Sequence, residues 1–527
     1  LRRSVIGALL GQGADVIDIE DDHPARVAAA LSARRAGRDW PRLVWVDDWL
    51  GENADNDFTE DGTARPLTRL IALLQAVASV VGSDPIEVWA VTTRGLSVAG
   101  EASDPRAAML AAPVLVASQE VLNLAVRLVD VEDLDTHADA LAREVLAVTP
   151  RPDRVIGLRG RHAWAERFEP MEPGVGARER GRRRLVESGP HLLIGGNGRI
   201  GGAIARHCAA IGAEVVACAR STPPDGVPWR AVRCDVTDEA RLYQVLDEAA
   251  GGGRLGVVFH AAGLADLKYL EAMTPASIAA ELDAKVAGTQ ALSRALDRLY
   301  RTRSVRPEAV VLFGSLAGLI GGYGMAAYGA ANRYLDAIAE GACNGPVQWI
   351  AIDWDDWNFD YGREQTPVWE RRARAFALGR QEGVAALETI LGEPRLSRVA
   401  VAGSDLERRR RAWCVRGAGD QGQFAARSIS AGAAPPSIHT HAPPIPDTVA
   451  DEGELLRHVL EAYAEVLGGD GLAADSDFFD LGGDSLTAAR LALALKRRLA
   501  EGSDVRLALV LEHATPGALA SALAAAT

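Results

Sequence analysis

The run Gly195-Gly196-Asn197-Gly198-Arg199-Ile200-Gly201-Gly202 follows an apolar stretch at His191–Gly195 and opens a helical pattern over Ala203–Ile211. Glycines between a strand and a helix permit a tight turn and let the backbone approach a pyrophosphate at the helix N-terminus. Strand before and helix after is the context that gives such a motif meaning. Gly195, Gly196, Asn197, Gly198, Arg199, Ile200 and Gly201 are therefore candidate contacts to a dinucleotide. The end of the next strand chooses between two cofactors. An acid there accepts hydrogen bonds from the ribose hydroxyls of NAD, whereas a base meets the extra phosphate of NADP. The sequence has Cys218-Ala219-Arg220-Ser221, with no acid. Arg220 is the candidate partner of a 2′-phosphate, Arg199 its assistant from the loop, and NADPH the expected cofactor. Asp235, in Arg233-Cys234-Asp235-Val236, is placed to hydrogen-bond the adenine. The plainer alternatives are a solvated arginine and a helix-capping aspartate.

Those residues require a sheet to hold them. Strand-like runs at His191–Gly195, Glu214–Ala219, Gly256–His260, Ala309–Gly314 and Val347–Asp353 are separated by regular helical connections, the rhythm of a doubly wound dinucleotide fold. Residues 1–185 alternate in the same way. Ala14–Ile19, Leu43–Val46 and Val88–Thr92 read as buried strands, with Pro66–Val81 and Asp104–Val126 as helices between them. That alternation predicts a parallel sheet with crossover helices. No glycine-rich turn follows these strands, so this half has no phosphate cradle. Residues 418–449 lose all periodicity and end in Ala434-Pro435-Pro436 and Pro443-Pro444-Ile445-Pro446, a linker partly stiffened by proline. Residues 450–527 return to helical patterns around one short motif.

A chain of 527 residues is too long for one ordinary domain. Its formal charge of -14 argues against nucleic acid as a partner, because phosphate contacts need a basic surface. Apolar stretches such as Ala107–Val116 fall short of a bilayer span, so no membrane is expected. The five cysteines, Cys208, Cys218, Cys234, Cys343 and Cys414, are scattered without CxxC or Cys/His ligand spacing. Free thiols in a reducing cytoplasm are expected, and no metal site. The opening Leu1-Arg2-Arg3 has neither an initiator Met nor a signal-peptide pattern and reads as a piece of something longer.

Further residues have a specific arrangement: His260-Ala261-Ala262-Gly263, Ser315, Tyr328-Gly329-Ala330-Ala331-Asn332 thirteen residues beyond that serine, and Trp354-Asp355-Asp356-Trp357. With the glycine loop they resemble the short-chain dehydrogenase/reductase superfamily, and particularly the ketoreductase domains of modular polyketide synthases. The resemblance implies that residues 1–185 are the structural half, a truncated Rossmann-like unit that binds no cofactor. Val91-Thr92-Thr93-Arg94-Gly95, Ser118-Gln119-Glu120 and Arg127-Leu128-Val129-Asp130 are its landmarks. Residues 186–417 would be the catalytic half, and Ala261, Ala262 and Gly263 join the cofactor contacts. Hydride delivered to a ketone leaves an alkoxide, which needs a proton and a donor-lined pocket. Tyr328 is the implied acid, and Ser315 the second hydrogen bond to the carbonyl oxygen. A free tyrosine, with a pKa near ~10, is a poor proton shuttle unless a cation stabilises its phenolate. Most of the superfamily places a lysine four residues after the tyrosine, where this sequence has Asn332. In the polyketide group the lysine comes from an earlier helix, and Lys285 fits that place. Lys285 would lower the tyrosine pKa and hold the nicotinamide ribose, with Asn332 orienting the relay. Three departures stand out. Arg199 occupies a usual glycine position. Leu264-Ala265-Asp266-Leu267 keeps one aspartate of the Leu-Asp-Asp that marks one stereochemical class. Ile320 replaces the tryptophan that marks the other, so no alcohol configuration is implied.

Phe478-Phe479-Asp480-Leu481-Gly482-Gly483-Asp484-Ser485-Leu486 resembles the phosphopantetheine attachment motif of acyl and peptidyl carrier domains. Helices expected over Leu455–Leu467, Ser485–Leu499 and Glu512–Leu523 fit a four-helix carrier over residues 450–527. Ser485 at a helix N-terminus suits a phosphodiester, so 4′-phosphopantetheine on Ser485 is implied; an N-cap is the plainer alternative. The flanking Thr487-Ala488-Ala489-Arg490-Leu491 looks more like peptidyl carriers, which points towards a hybrid polyketide/nonribosomal peptide synthetase. The expected fold class is α/β, with two Rossmann-like halves (the second a complete doubly wound NADP-binding fold), a linker and a small all-α bundle. The expected function is NADPH-dependent reduction of a carrier-bound β-ketoacyl thioester to a hydroxyacyl thioester. The alternatives are an α-ketoacyl substrate in a depsipeptide-forming synthetase and an inactive scaffold presenting a carrier. Implied partners are other domains of the same synthase, the carrier-bound ketoacyl substrate and a phosphopantetheinyl transferase. The arginine runs Arg178–Arg184 and Arg408–Arg411 are candidates to dock an acidic carrier face, or else are solvated helix faces.

Overall fold

The computed structural model describes residues 2–13, 24–34, 42–46, 60–81, 86–98, 100–121, 123–147, 153–221, 226–359, 377–394, 396–414, 452–467 and 472–526, the last apart from 479–480, 482–487, 489–490, 493, 496–497, 500–504 and 506. Ser485, the linker 418–449 and the run Ala14–Ile19 lie outside the described residues. The chain forms two compact units, one drawn from residues 1–409 and the other chiefly from 410–527.

The first unit holds two sheets. One orders β1 (Leu43–Val46), β2 (Ile86–Thr93), β3 (Leu124–Val131), β4 (Val155–Arg159) and β5 (His162–Trp164) in chain sequence. Its pairings are parallel except β4 with β5. The other comprises β6 (His191–Ile194), β7 (Val215–Ala219), β8 (Arg230–Arg233), β9 (Leu255–His260), β10 (Pro307–Ser315), β11 (Gln348–Trp354) and β14 (Arg398–Val401). Its order is β14-β11-β10-β9-β6-β7-β8. A short parallel pair, β12 (Trp357–Asn358) with β13 (Leu378–Gly379), completes the strands. Every residue of β6 and β9 is buried, as expected of central parallel strands covered by helices on both faces.

The helix expected over Asp104–Val126 is divided. Pro105–Ala108 and Ala111–Glu120 are helical, but Leu124–Val126 already belongs to β3. Asn123 turns the chain with φ +62, and pairing with β2 decides the state of the residues that follow.

Helix Ala177–Glu187 spans the expected boundary at residue 185 and packs on helix Arg380–Leu391 through facing glycines. A Cβ at Gly181 would lie 1.7 Å from the Glu388 carbonyl oxygen. Arg178 pairs with the Glu388 carboxylate at 2.8 Å, and Arg180 donates to the Gly392 carbonyl at 3.1 Å. Arginines of the first run are thus tied to the neighbouring helix. Gly181→Ala raises helix propensity by about 1 kcal/mol, yet it drives one backbone into another. The clash wins, and a net loss of about 1–3 kcal/mol is expected, read as a lower Tm in thermal melts.

The second unit packs helix Glu452–Leu467 with Leu507–Glu512 and Pro516–Ala526. Tyr463 and Phe478 meet edge-to-face at 5.6 Å, and the Tyr463 hydroxyl donates to the Ala514 carbonyl at 3.0 Å.

Candidate active site

In the seven-stranded sheet the strand order reverses between β6 and β9, and open α/β sheets bind ligands beyond the carboxyl ends of the strands at such a point. Gly195 leaves β6 with φ +87, a conformation glycine adopts freely. A Cβ there would sit 2.7 Å from the Ala261 backbone. The N–H groups of Gly195 and Gly196 donate to the Cys218 carbonyl at 2.8 and 3.2 Å, tying the turn to β7. At Gly201 a Cβ would lie 2.3 Å from the Gly195 carbonyl oxygen. Helix Arg199–Ala210 begins at Gly198 with no side-chain cap. Ile200 packs against the core, Arg199 is exposed, and Asn197 donates to the Ser221 carbonyl and Oγ at 3.1 and 2.8 Å.

Arg220 is exposed beyond β7, its guanidinium 4.0 Å from the Asp283 carboxylate. Asp235 follows β8 and accepts from the backbone N–H and hydroxyl of Thr237 at 3.0 and 2.9 Å. Helix Glu239–Ala249 takes its cap from Asp238 instead. The Cys234 N–H donates to the Ala219 carbonyl at 3.0 Å, which holds these two strand ends together.

The four proposed reacting residues converge. Ser315 ends β10, and its Oγ accepts the Ala317 N–H at 3.2 Å, opening the short helix Ala317–Ile320. Tyr328 lies in the first turn of helix Ala326–Gly341. That helix packs so closely on the preceding one that a Cβ at Gly329 would be 2.8 Å from the Ala317 carbonyl oxygen. Ser315 and Asn332 lie near enough to the Tyr328 phenol to favour its ionised form. Asn332 also donates from Nδ2 to the Tyr328 carbonyl at 2.8 Å, while its buried Oδ1 has no partner. Lys285 sits on a π-helical turn, Asp283–Ala287, a local widening often found at functional sites. Its ammonium donates to the Phe313 carbonyl at 2.5 Å and lies 5.7 Å from the Tyr328 ring centre. Gly263 leaves room for it, since a Cβ there would be 2.9 Å from Lys285 Cε.

Burial pushes the Tyr328 phenol above its ordinary value, with Ser315 and Asn332 opposing. At neutral pH it therefore holds its proton. Burial brings Lys285 down to about 8, against the attraction of Asp353, Asp336 and Glu281. His260, pushed down to about 3 by burial and then by Lys285, is neutral.

Sequence reasoning missed the charges beneath this site. Arg398, on the edge strand β14, reaches Glu166 at 2.5 Å, Asp336 at 3.0 Å, Asp353 at 3.3 Å and Glu340 at 3.3 Å. Arg333, next to Asn332, pairs with the same Glu166 at 2.9 Å and donates to the Gly318 carbonyl at 2.7 Å. Glu166, which follows β5, thus grips the helix that carries Tyr328. Asp353 stands opposite Gly314 on β10. A charged residue inside the apolar run Trp349-Ile350-Ala351-Ile352-Asp353-Trp354 was the available signal.

The KR domain family model matches residues 189–358, and the phosphopantetheine attachment site model matches residues 457–523. The chain carries a ketoreductase domain of the kind found in modular polyketide synthases. A phosphopantetheine carrier domain follows the ketoreductase. The chain is 31% identical to erythronolide synthase EryA3 of Saccharopolyspora erythraea, over 85% of this chain and 14% of that protein. It is 28% identical to the pikromycin polyketide synthase component PikAIII of Streptomyces venezuelae, over 98% of this chain and 34% of that protein. The chain therefore spans only a minor part of these relatives. Among solved structures, A-type ketoreductases from a modular polyketide synthase match with a TM-score of 0.64 and 26% identity, over 78% of this chain and 87% of that one. The α/β fold of the ketoreductase is shared with them. Among the described residues, no helix is long and apolar enough to cross a membrane.

Proposed function

We propose that the ketoreductase uses NADPH to reduce a carrier-bound β-ketoacyl thioester to the hydroxyacyl thioester, and that Ser485 bears the 4′-phosphopantetheine arm. The convergence of Ser315, Tyr328, Asn332 and Lys285 beside the glycine turn carries this reading. The cradle fits a dinucleotide: Gly195, Gly196 and Gly201 leave no space for side chains, and the following helix begins without a side-chain cap. Gly195–Gly201 would hold the pyrophosphate, Arg220 the 2′-phosphate, Asp235 the adenine side, and Ala261–Gly263 with Lys285 the nicotinamide ribose. When bound, NADPH supplies the hydride.

The chain's own residues handle the proton. Tyr328 gives its phenolic proton to the developing alkoxide, and Ser315 hydrogen-bonds the same oxygen. The Lys285 ammonium stabilises the phenolate left behind, and Asn332 fixes the start of the helix through the Tyr328 carbonyl. On this reading residues 1–185 are the structural half, 186–417 the catalytic half, 418–449 the linker and 450–527 the carrier. The partners are the other domains of one synthase and a phosphopantetheinyl transferase, and the compartment is the cytoplasm.

Presenting α- and β-ketoacyl pantetheine thioesters side by side, with NADPH oxidation followed optically, tests the reading. Turnover of the β-keto substrate is expected. Turnover of the α-keto substrate alone moves the chain to depsipeptide assembly, and no turnover with no NADPH binding overturns the enzyme reading. Intact mass after phosphopantetheinyl transferase treatment checks Ser485. Arg220→Ala is expected to raise KM for NADPH about tenfold and leave KM for NADH nearly unchanged, as loss of one charge-assisted contact predicts.

A further inference from the structure

Ser315 and Tyr328 stand on different elements, so their spacing depends on how the end of β10 meets helix Ala326–Gly341. Small residues let the two segments touch: a Cβ at Gly318 would lie 3.4 Å from Asn332 Cβ, and one at Gly329 2.8 Å from the Ala317 carbonyl oxygen. Such contact is non-directional and by itself fixes no register. Arg333 crosses it. That residue is 5% exposed and donates from Nε to the Gly318 carbonyl at 2.7 Å. Its two Nη groups reach the Glu166 carboxylate oxygens at 3.2 and 2.9 Å. A guanidinium is planar, with its donors fixed relative to one another. Holding two of them on Glu166 therefore aims the third at Gly318.

Glu166 is itself held from several sides. It follows β5, and its neighbour Arg167 pairs with Asp153 at 2.9 Å. Phe168 lies 5.6 Å from the Arg398 guanidinium, and Arg398 donates to Glu166 at 2.5 Å. The anchor thus belongs to the first half, and the elements it ties belong to the second. Ser315 joins the same turn, because its Oγ accepts the Ala317 N–H at 3.2 Å, one residue before Gly318.

We propose that Arg333 is a positioning residue for the reduction: anchored by Glu166, it sets the distance between the Ser315 hydroxyl and the Tyr328 phenol. This rests on the roles given to Ser315 and Tyr328 above. Arg333 lies five residues beyond Tyr328 on one helix, so a displacement at one is carried to the other. Its fork holds that helix and the Ser315 turn in one register. Loss of the fork leaves the two segments free to slide, and a misplacement of about 1 Å costs about 100-fold in rate. The glycine turn after β6 lies outside these contacts. The clamp is therefore expected to govern turnover and to leave NADPH affinity alone.

Arg333→Lys keeps the charge but cannot serve Gly318 and both Glu166 oxygens at once. Glu166→Gln keeps the shape and one acceptor, and loses the charge that Arg333 and Arg398 share. The full chain and each variant are assayed with NADPH and a β-ketoacyl pantetheine thioester. NADPH sites are titrated by fluorescence, so that turnover is expressed per bound cofactor. Each variant is expected to lose about 10- to 100-fold in kcat per bound NADPH, with Kd for NADPH nearly unchanged. The double variant is expected to lose no more than the worse single one, because both break the same chain of contacts. A merely stabilising clamp would lower Tm and the number of NADPH sites and leave turnover per site untouched. Arg127→Lys, which loosens a pair with Glu87 inside the first half, measures that effect and is expected to keep turnover per site. Unchanged turnover per bound NADPH in both variants overturns the inference, as do losses that simply add in the double variant. No turnover by the parent chain sinks the functional reading and the inference with it, whereas a working parent with unaffected variants sinks the inference alone.

Discussion

Tyr328→Phe is expected to lower turnover by about 10²- to 10⁴-fold, the range lost when a positioned proton donor is removed, while NADPH binding is retained. The substitution keeps the ring and its packing and deletes only the hydroxyl. The phenol ring lies 5.7 Å from the Lys285 ammonium, with Ser315 and Asn332 favouring its ionised form. Its raised pKa makes it a held proton at neutral pH, and the adjacent cation makes release affordable as charge develops on the substrate oxygen. Ser315 remains in the variant and accounts for residual rate through positioning. Tyr334→Phe is the control. Tyr334 is buried on the same helix, with its hydroxyl hydrogen-bonded to Gln290 at 3.1 Å, and deleting that hydroxyl is expected to leave kcat nearly unchanged. Turnover by Tyr328→Phe close to the parent's would assign the proton to another group.

Arg398→Leu is expected to destabilise the fold by about 3–5 kcal/mol, the penalty for leaving buried charge without its partner. Arg398 is the shared cation of Glu166, Asp336, Asp353 and Glu340, and Leu keeps much of the volume while removing the charge. Burial already raises Asp336, Asp353 and Glu340, against the pull of Arg398. An acid whose folded-state pKa lies above its unfolded value favours the fold below the unfolded value and loses that contribution as pH rises through the folded one. Removing Arg398 raises the folded values further. The Tm deficit of the variant is therefore expected to be largest at pH 8 and to shrink as pH falls towards the unfolded carboxylate range, about 4. A deficit independent of pH would mean that lost packing, rather than uncompensated carboxylates, accounts for the effect.

The residues proposed to touch the chemistry could be nominated from the sequence because their spacing is local. The glycine turn is read from one segment, Tyr328 and Asn332 are one helical turn apart, and Ser315 ends an unmistakable apolar strand. Central strands such as β6, β9 and β10 were legible for a related reason: burial on both faces demands uninterrupted apolar runs. The edge strands β8 and β14 carry arginines at their ends, and neither was read as a strand. Asn123 and the pairing of β3 with β2 divided a helix that composition alone favoured. Gly181, read only as one residue in an arginine-rich run, proved to be where two helix backbones meet.

The sequence by itself therefore determined the doubly wound half and its glycine turn, and nominated the residues proposed to handle the proton, because each depends on neighbours within a few residues. Only the tertiary structure decided how Lys285 reaches the site, from a π-helical turn and past Gly263, where a Cβ would meet the lysine side chain. It also decided that Glu166 of the first half grips the helix of Tyr328. These contacts join residues from about twenty to more than two hundred positions apart. Their energies come from burial and opposing charge, and a one-dimensional pattern contains neither until the chain closes.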